Sequence, residues 1–314
     1  MSNNHFQKLR ANKINWLHAS KPLSKEEREA LVRKFGFYAH HVAGTQQGKT
    51  PRPKIAANKK YIYIVLHVPY QPANSNKFYI CDLNIFITKD TLVTIETQGD
   101  LPALKRYFES TQQSKRVLER RLKHGSVNLF MNIIKYLLNE VEEILDQQGE
   151  QVDTLNKKIF DLHNTAEFIE KISVLRYNQI VAFSVLERQS RMMEFNSGEK
   201  SPFQSANGSS DYKWSDIAET FQTLAYELKA DIDHLEGLVQ TFETLVTHRT
   251  NETIKLLTIF SVVLLPLTLV SGIFGMNFLH IPFASHPFGF YISLLGMLTI
   301  LSVMLFFFRW RNWI

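Results

Sequence analysis

Asn251, Ile254, Leu257, Ser261, Leu265, Thr268 and Gly272 recur every three or four positions near the C-terminal end of this 314-residue chain. On a helix that spacing gathers them on one face, where slim apolar residues alternate with small polar ones. Such a face suits a path for water or a hydrated ion. Small residues also let two helices approach closely, and periodicity alone leaves both readings open. One helix cannot enclose a pore, so a conducting path requires several copies around an axis. Elsewhere reactive constellations are scarce. The chain has no His-Glu-x-x-His, Cys-x-x-Cys or Gly-x-Ser-x-Gly, so no enzyme is expected. Gly44-Thr45-Gln46-Gln47-Gly48-Lys49-Thr50 is one spacer short of a phosphate-binding loop. The Pro51-Arg52-Pro53 behind it disfavours the helix such a loop must open, so no nucleotide site is expected. His40 and His41 are adjacent, and neighbours on regular structure point apart, which predicts a surface or packed pair rather than a metal site.

The elements that position the polar face follow from charge. No Asp, Glu, Lys or Arg occurs between Leu256 and Phe308, and the run is broken by Phe274-Gly275-Met276-Asn277 and a short loop. Residues 256–276 and 288–308 are each long enough, at ~1.5 Å per residue, to cross a ~30 Å hydrocarbon core. Arg249 and Lys255 precede the first span, Arg309 and Arg311 follow the second, and the loop between carries no Lys or Arg. The positive-inside rule therefore puts both termini in the cytoplasm, with Phe288, Phe290, Tyr291, Trp310 and Trp313 as interfacial anchors.

Roughly 250 residues remain for structure outside the bilayer. The lone Cys81 fits a reducing compartment, and the polar start Met1-Ser2-Asn3-Asn4-His5 lacks the apolar core of a secretory signal. A net charge of +6 is modest for this length and gives no reason to expect nucleic acid. Residues 1–115 read as an α+β module with a small, mostly antiparallel sheet. It has a strand near 14–17, a helix opened by Ser24 with Glu27 three residues on, and β-rich runs over 61–68, 78–87 and 91–96. Turns fall at Asn74-Ser75-Asn76 and Thr88-Lys89-Asp90. Residues 116–250 read as long stalk helices: one from Val127, a reverse arm over 167–195, a polar loop over 197–210, and a third helix from about Asp211. The third has no stop before the membrane, because Ile217, Phe221, Leu224, Leu228, Ile232, Leu235, Val239, Phe242 and Val246 keep its stripe. Residues 251–314 form the two-span domain.

Asn251-Glu252-Thr253-Ile254-Lys255-Leu256-Leu257-Thr258-Ile259, Pro266-Leu267-Thr268 and Gly272-Ile273-Phe274-Gly275-Met276-Asn277-Phe278 resemble the CorA family of divalent metal-ion transporters. Gly-Met-Asn between two C-terminal spans is that family's signature. The resemblance extends in order along the chain, more weakly through Arg52-Pro53-Lys54 and the strand after it. It implies a funnel-shaped homopentamer in a bacterial inner membrane, with the first span of each copy lining the pore. It further implies a selectivity filter at Gly275, Met276 and Asn277, pore-lining positions at Asn251, Ser261, Thr268 and Gly272, and an apolar gate at Ile254, Leu257 and Leu265. The implied cargo is Mg2+, with Co2+ or Ni2+ as further passengers and no cofactor. Two features depart from the family pattern. The outer loop carries His280 and His286 but no carboxylate, which keeps a Zn2+ transporter of the related ZntB branch, with proton coupling, as an alternative. Asp216 falls at one half of the family's regulatory metal site, yet no acid stands at its expected partner near Tyr70 to Pro72. A non-conducting metal sensor or scaffold is a further alternative. The acidic row Glu140, Glu142, Glu143, Asp146, Glu150 and Asp153 is expected to be a solvated helix face, with ion holding as the other reading.

Overall fold

Alternation in the strands explains the architecture of the N-terminal part. The computed structural model describes residues 6–48, 51–98, 100–161, 165–196, 214–277, 281, 283, 286–311 and 313. The chain forms two compact units, Met1–Leu238 and Val239–Ile314.

In the first unit, strands β1 (Gln7–Ala11), β2 (Ile14–Ala19), β3 (Lys54–Ala57), β4 (Ile62–Tyr70), β5 (Tyr79–Ile87) and β6 (Thr91–Gln98) make a six-stranded sheet in the order β1-β2-β6-β5-β4-β3. The tight β4–β5 and β5–β6 connections give antiparallel pairs, as their turns predict. The β2–β6 pair is parallel. Successive residues of a strand point to opposite faces. Ile64, Leu66 and Val68 accordingly join one apolar cluster, while Tyr61, Tyr63 and Val65 join another.

The second of these clusters is covered by α1 (Lys25–Phe35), which supplies Leu31 to it. Its start is a capping box, with Ser24 and Glu27 bonding each other's backbone, and Gly36 at φ 68° closes it. A short helix α2 (Ala39–Val42) follows. The first cluster is covered by α3 (Pro102–Gln112), α5 (Ser126–Lys158), α6 (Thr165–Phe195) and the first residues of α7 (Trp214–Phe274), with a short α4 (Lys115–Arg121) between α3 and α5. Buried amides on α6 finish backbone hydrogen bonds of the sheet. Gln189 accepts from the His67 N–H at 3.0 Å and donates to the His67 carbonyl at 2.8 Å. Asn178 accepts from the Phe78 N–H at 2.8 Å.

Strands β1 and β3 and helices α3 and α4 add to what the periodicity predicts, and α5 ends at Lys158 in a 3-10 turn over Ile159–Asp161. The polar stretch 197–210 lies outside the described residues. In the second unit, α7 continues without interruption to Phe274, 61 residues in all, and α8 spans Gly289–Trp310. Both are long and apolar enough to cross a membrane.

Candidate ion-conducting site

Two faces of α7 in the second unit differ sharply. Ile259 and Val263 are buried against Phe308 of α8, with Leu267, Leu301 and Met304 packed around them. At about 100° per residue, this contact faces away from the stripe Asn251, Ile254, Leu257, Ser261, Leu265, Thr268 and Gly272 by roughly half a turn. Every member of that stripe is partly or wholly exposed, Ile254 at 55%, Leu257 at 66% and Leu265 at 69%. Within one copy of the chain, α8 therefore covers the wrong side of α7 to explain the stripe as packing between these two helices.

The hydroxyls on α7 have a defined polarity. Ser261 donates to the Leu257 carbonyl at 2.9 Å, and Thr268 to the Leu264 carbonyl at 2.9 Å. Their protons are thus committed to the backbone, which leaves oxygen lone pairs as acceptors. Water bound to a divalent cation presents its protons outward, so acceptors are what such a hydration shell requires. Pro266 sits inside the helix, where it lacks the N–H that would bond the Val262 carbonyl.

The helix closes at the Gly-Met-Asn signature. The Gly275 N–H reaches the Ser271 carbonyl at 3.0 Å and the Gly272 carbonyl at 3.2 Å, and the Met276 N–H donates to the Ile273 carbonyl at 3.3 Å. A Cβ on Gly275 would stand 3.3 Å from the Ser271 carbonyl oxygen, so glycine permits this tight exit. Asn277 follows directly and is exposed. The helix C-terminus behind it carries about half a negative charge from its unpaired carbonyls, which favours cations at this end. Beyond it, His286 accepts the Phe288 N–H on Nδ1 at 3.2 Å, while His280 lies outside the described residues.

The remaining candidates belong to the first unit. Asp216 is exposed in the first turn of α7. Among the described residues no three His, Cys, Asp or Glu side chains converge to hold a metal. Of the acidic row on α5, Glu140 is half-buried and pairs with Arg106, and the other members are exposed. Glu227 and Asp231 on α7 are both raised from their ordinary values. Burial is the main cause, followed for Glu227 by Glu142 and Asp146, and with Asp153 and Asp146 also acting on Asp231. His41 is buried and bonds the Tyr61 hydroxyl at 2.8 Å, while His40 is exposed with its ring 4.2 Å from that of His41. After the phosphate-loop look-alike, the chain enters β3 rather than a helix.

Residues 11–310 match the family described as CorA-like Mg2+ transporter protein. This chain belongs to that family. It is 20% identical over 265 residues to the cobalt/magnesium transport protein CorA of Thermotoga maritima, covering 84% of this chain and 73% of that one. It is 22% identical to the zinc transport protein ZntB of Pectobacterium carotovorum, covering 95% and 88%. The CorA magnesium transporter structure from Methanocaldococcus jannaschii shares the fold, with a TM-score of 0.77 at 18% identity over 98% of this chain and 93% of that one. As a CorA-family member the chain is a divalent-cation transporter with a sheet-and-helix unit, a long helix and two apolar C-terminal helices. Sequence reasoning missed the opposition of the α8 contact and the polar stripe, although the spacing of Ile259, Val263 and Leu267 against the stripe already carried it.

Proposed function

We propose that this protein is a passive, channel-like Mg2+ uptake system that also admits Co2+ and Ni2+, built as a homopentamer in the bacterial inner membrane with both termini cytoplasmic. The observation that carries this reading is the stripe from Asn251 to Gly272, uncovered on the side of α7 away from α8 and running out at Asn277. Mg2+ releases its water reluctantly, so a ring of Asn277 amide oxygens selects the ion with its shell intact. Thr268 and Ser261 accept further water protons on the way in, and Gly272 leaves room beside them. Ile254, Leu257 and Leu265 close the path by excluding water. A divalent ion crossing a potential of about 100 mV gains roughly 4.6 kcal/mol, so no nucleotide is needed. Asp216 supplies one carboxylate for cation feedback, which is weakened because Tyr70, Gln71 and Pro72 offer no acid to face it.

Mg2+ uptake by proteoliposomes tests the reading: wild type takes up the ion at an imposed potential, and Asn277→Ala abolishes it. Unchanged uptake in Asn277→Ala, or a protein that stays monomeric in lipid, would sink it. A second reading, proton-coupled Zn2+ transport, draws on the carboxylate-free outer loop with its His280 and His286, since imidazole suits Zn2+ better than Mg2+. Zn2+ uptake that needs a pH gradient, with no Mg2+ uptake, would favour it.

A further inference from the structure

The sheet of the first unit encloses a second polar constellation that the transport path does not use. Glu96 on β6 and His18 on β2 are each 1% exposed. Glu96 Oε2 accepts the Leu101 N–H at 2.9 Å, at the entry to α3. Its Oε1 lies 3.6 Å from His18 Nε2, and neither atom has a hydrogen-bond partner. On the other side of the ring, His18 Nδ1 is 3.0 Å from Thr94 Oγ1, which also takes the Trp16 Nε1–H at 3.0 Å. Indole nitrogen can only donate. Thr94 Oγ1 keeps a second lone pair for the ring, and a hydrogen bond to the Thr94 backbone also draws an imidazole N–H to this side, so Nδ1 carries the proton and Nε2 faces Glu96 as a bare lone pair. Trp16 and Phe108 wall the pair, with Phe108 on α3 5.3 Å from the His18 ring.

We propose that the His18–Glu96 pair is a proton-binding switch, which discharges a buried carboxylate as the surrounding pH falls and thereby alters the rate at which the protein passes divalent cations. The second half rests on the transport reading above. The step balances as a single protonation: one proton binds Glu96 Oε1, the pair goes from a charge of −1 to zero, and the bare Nε2 of His18 becomes the acceptor of the new O–H. The unbonded 3.6 Å gap then closes to a hydrogen bond, while the Leu101 N–H loses a charged partner for a neutral one. The start of α3 is thus held differently in the two states. That helix reaches α5 through the Arg106–Glu140 ion pair and the Tyr107–Tyr136 ring contact at 4.9 Å. Burial pushes Glu96 up to about 7; the Leu101 N–H and Lys105 oppose this, and Asp100 adds to it. Burial holds His18 down at about 4. Cys81 on β5 and Tyr70 on β4 also feel the Glu96 charge, and burial raises both, so they stay neutral beside it.

Two measurements on the full-length protein in lipid decide the matter. Infrared difference spectra between pH 6 and pH 8 should contain a protonated-carboxyl band with a midpoint near 7 that Glu96→Gln removes. Mg2+ uptake, at equal pH inside and out, should change with pH in wild type beyond any change in Glu96→Gln. Absence of a band that depends on Glu96 overturns the switch, and a band with identical pH profiles of uptake in the two proteins overturns its link to transport. If neither protein carries Mg2+ at any pH, the transport reading fails while the band still decides the proton site. Should Glu96→Gln not fold, His18→Phe carries the test. Removing the Nε2 acceptor of the new O–H must move the midpoint downward, and an unmoved midpoint overturns the pair.

Discussion

Leu66 on β4 and Leu265 on α7 are the same residue in two opposite situations. The first is 1% exposed inside a core that one copy of the chain completes, and the second is 69% exposed on a face that nothing among the described residues covers. The N-terminal unit buries its own apolar surface: two apolar clusters sandwich a sheet, and α6 amides take up backbone groups at His67 and Phe78. The C-terminal unit leaves large apolar side chains exposed all along α7 and α8, with a small cluster around Ile259, Val263 and Phe308. Under the transport reading, its missing neighbours are lipid and other copies. Apolar burial is thus concentrated in one unit and apolar exposure in the other.

The largest test of this contrast is Trp16→Ala. Trp16 is fully buried, and its loss should cost about 3–5 kcal/mol, read by chemical unfolding of the detergent-purified protein. Glu96→Gln comes next, through pH. His18 has a folded pKa near 4 against 6.5, so its contribution is present above pH 6.5 and lost as pH falls toward 4. Glu96 runs the other way, from 4.5 up to about 7, so its contribution is present below pH 4.5 and lost as pH rises through 7. The two slopes cancel between 4.5 and 6.5 in wild type. Glu96→Gln should uncover the His18 slope as a loss of about 3 kcal/mol on acidification from pH 6.5 to 4, and a flat profile would contradict it. Tyr63→Phe removes the hydroxyl that donates to Asn84 Oδ1 at 2.7 Å inside the sheet, a cost of about 1–2 kcal/mol in the same unfolding assay. Leu265→Ala should be the mildest, within ~0.5 kcal/mol, while raising Mg2+ leak through proteoliposomes. A Leu265→Ala penalty as large as that of Leu66→Ala would mean a dry, packed face and would break the contrast.

The sequence made the C-terminal unit readable because everything needed is local. Charge-free runs, the three-and-four spacing of the stripe and the Gly275-Met276-Asn277 exit lie within single helices. Strands β4, β5 and β6 were legible for the same reason, through alternation and short turns. Strand β1 was not, because Gln7–Ala11 carries little pattern of its own and is defined by pairing with β2. The His18–Glu96 pair was hidden for a stronger reason. It exists because β2 lies parallel to β6 with His18 opposite Thr94, a register between residues far apart in the chain. No local pattern encodes that register.

The β2–β6 pairing also has a cost in time. The first hairpin, β1 with β2, leaves the ribosome with one long edge bare, and the strand that covers it begins at Thr91, 72 residues after Ala19 (91 − 19 = 72). At synthesis speeds of 5–20 residues per second, that edge waits roughly 4–15 s for its mate. Throughout the wait, Trp16 and Leu17 sit beside unpaired backbone groups, a surface other nascent chains can join. The β1–β2 hairpin therefore carries a hazard of its own, set by the distance along the chain to its partner strand.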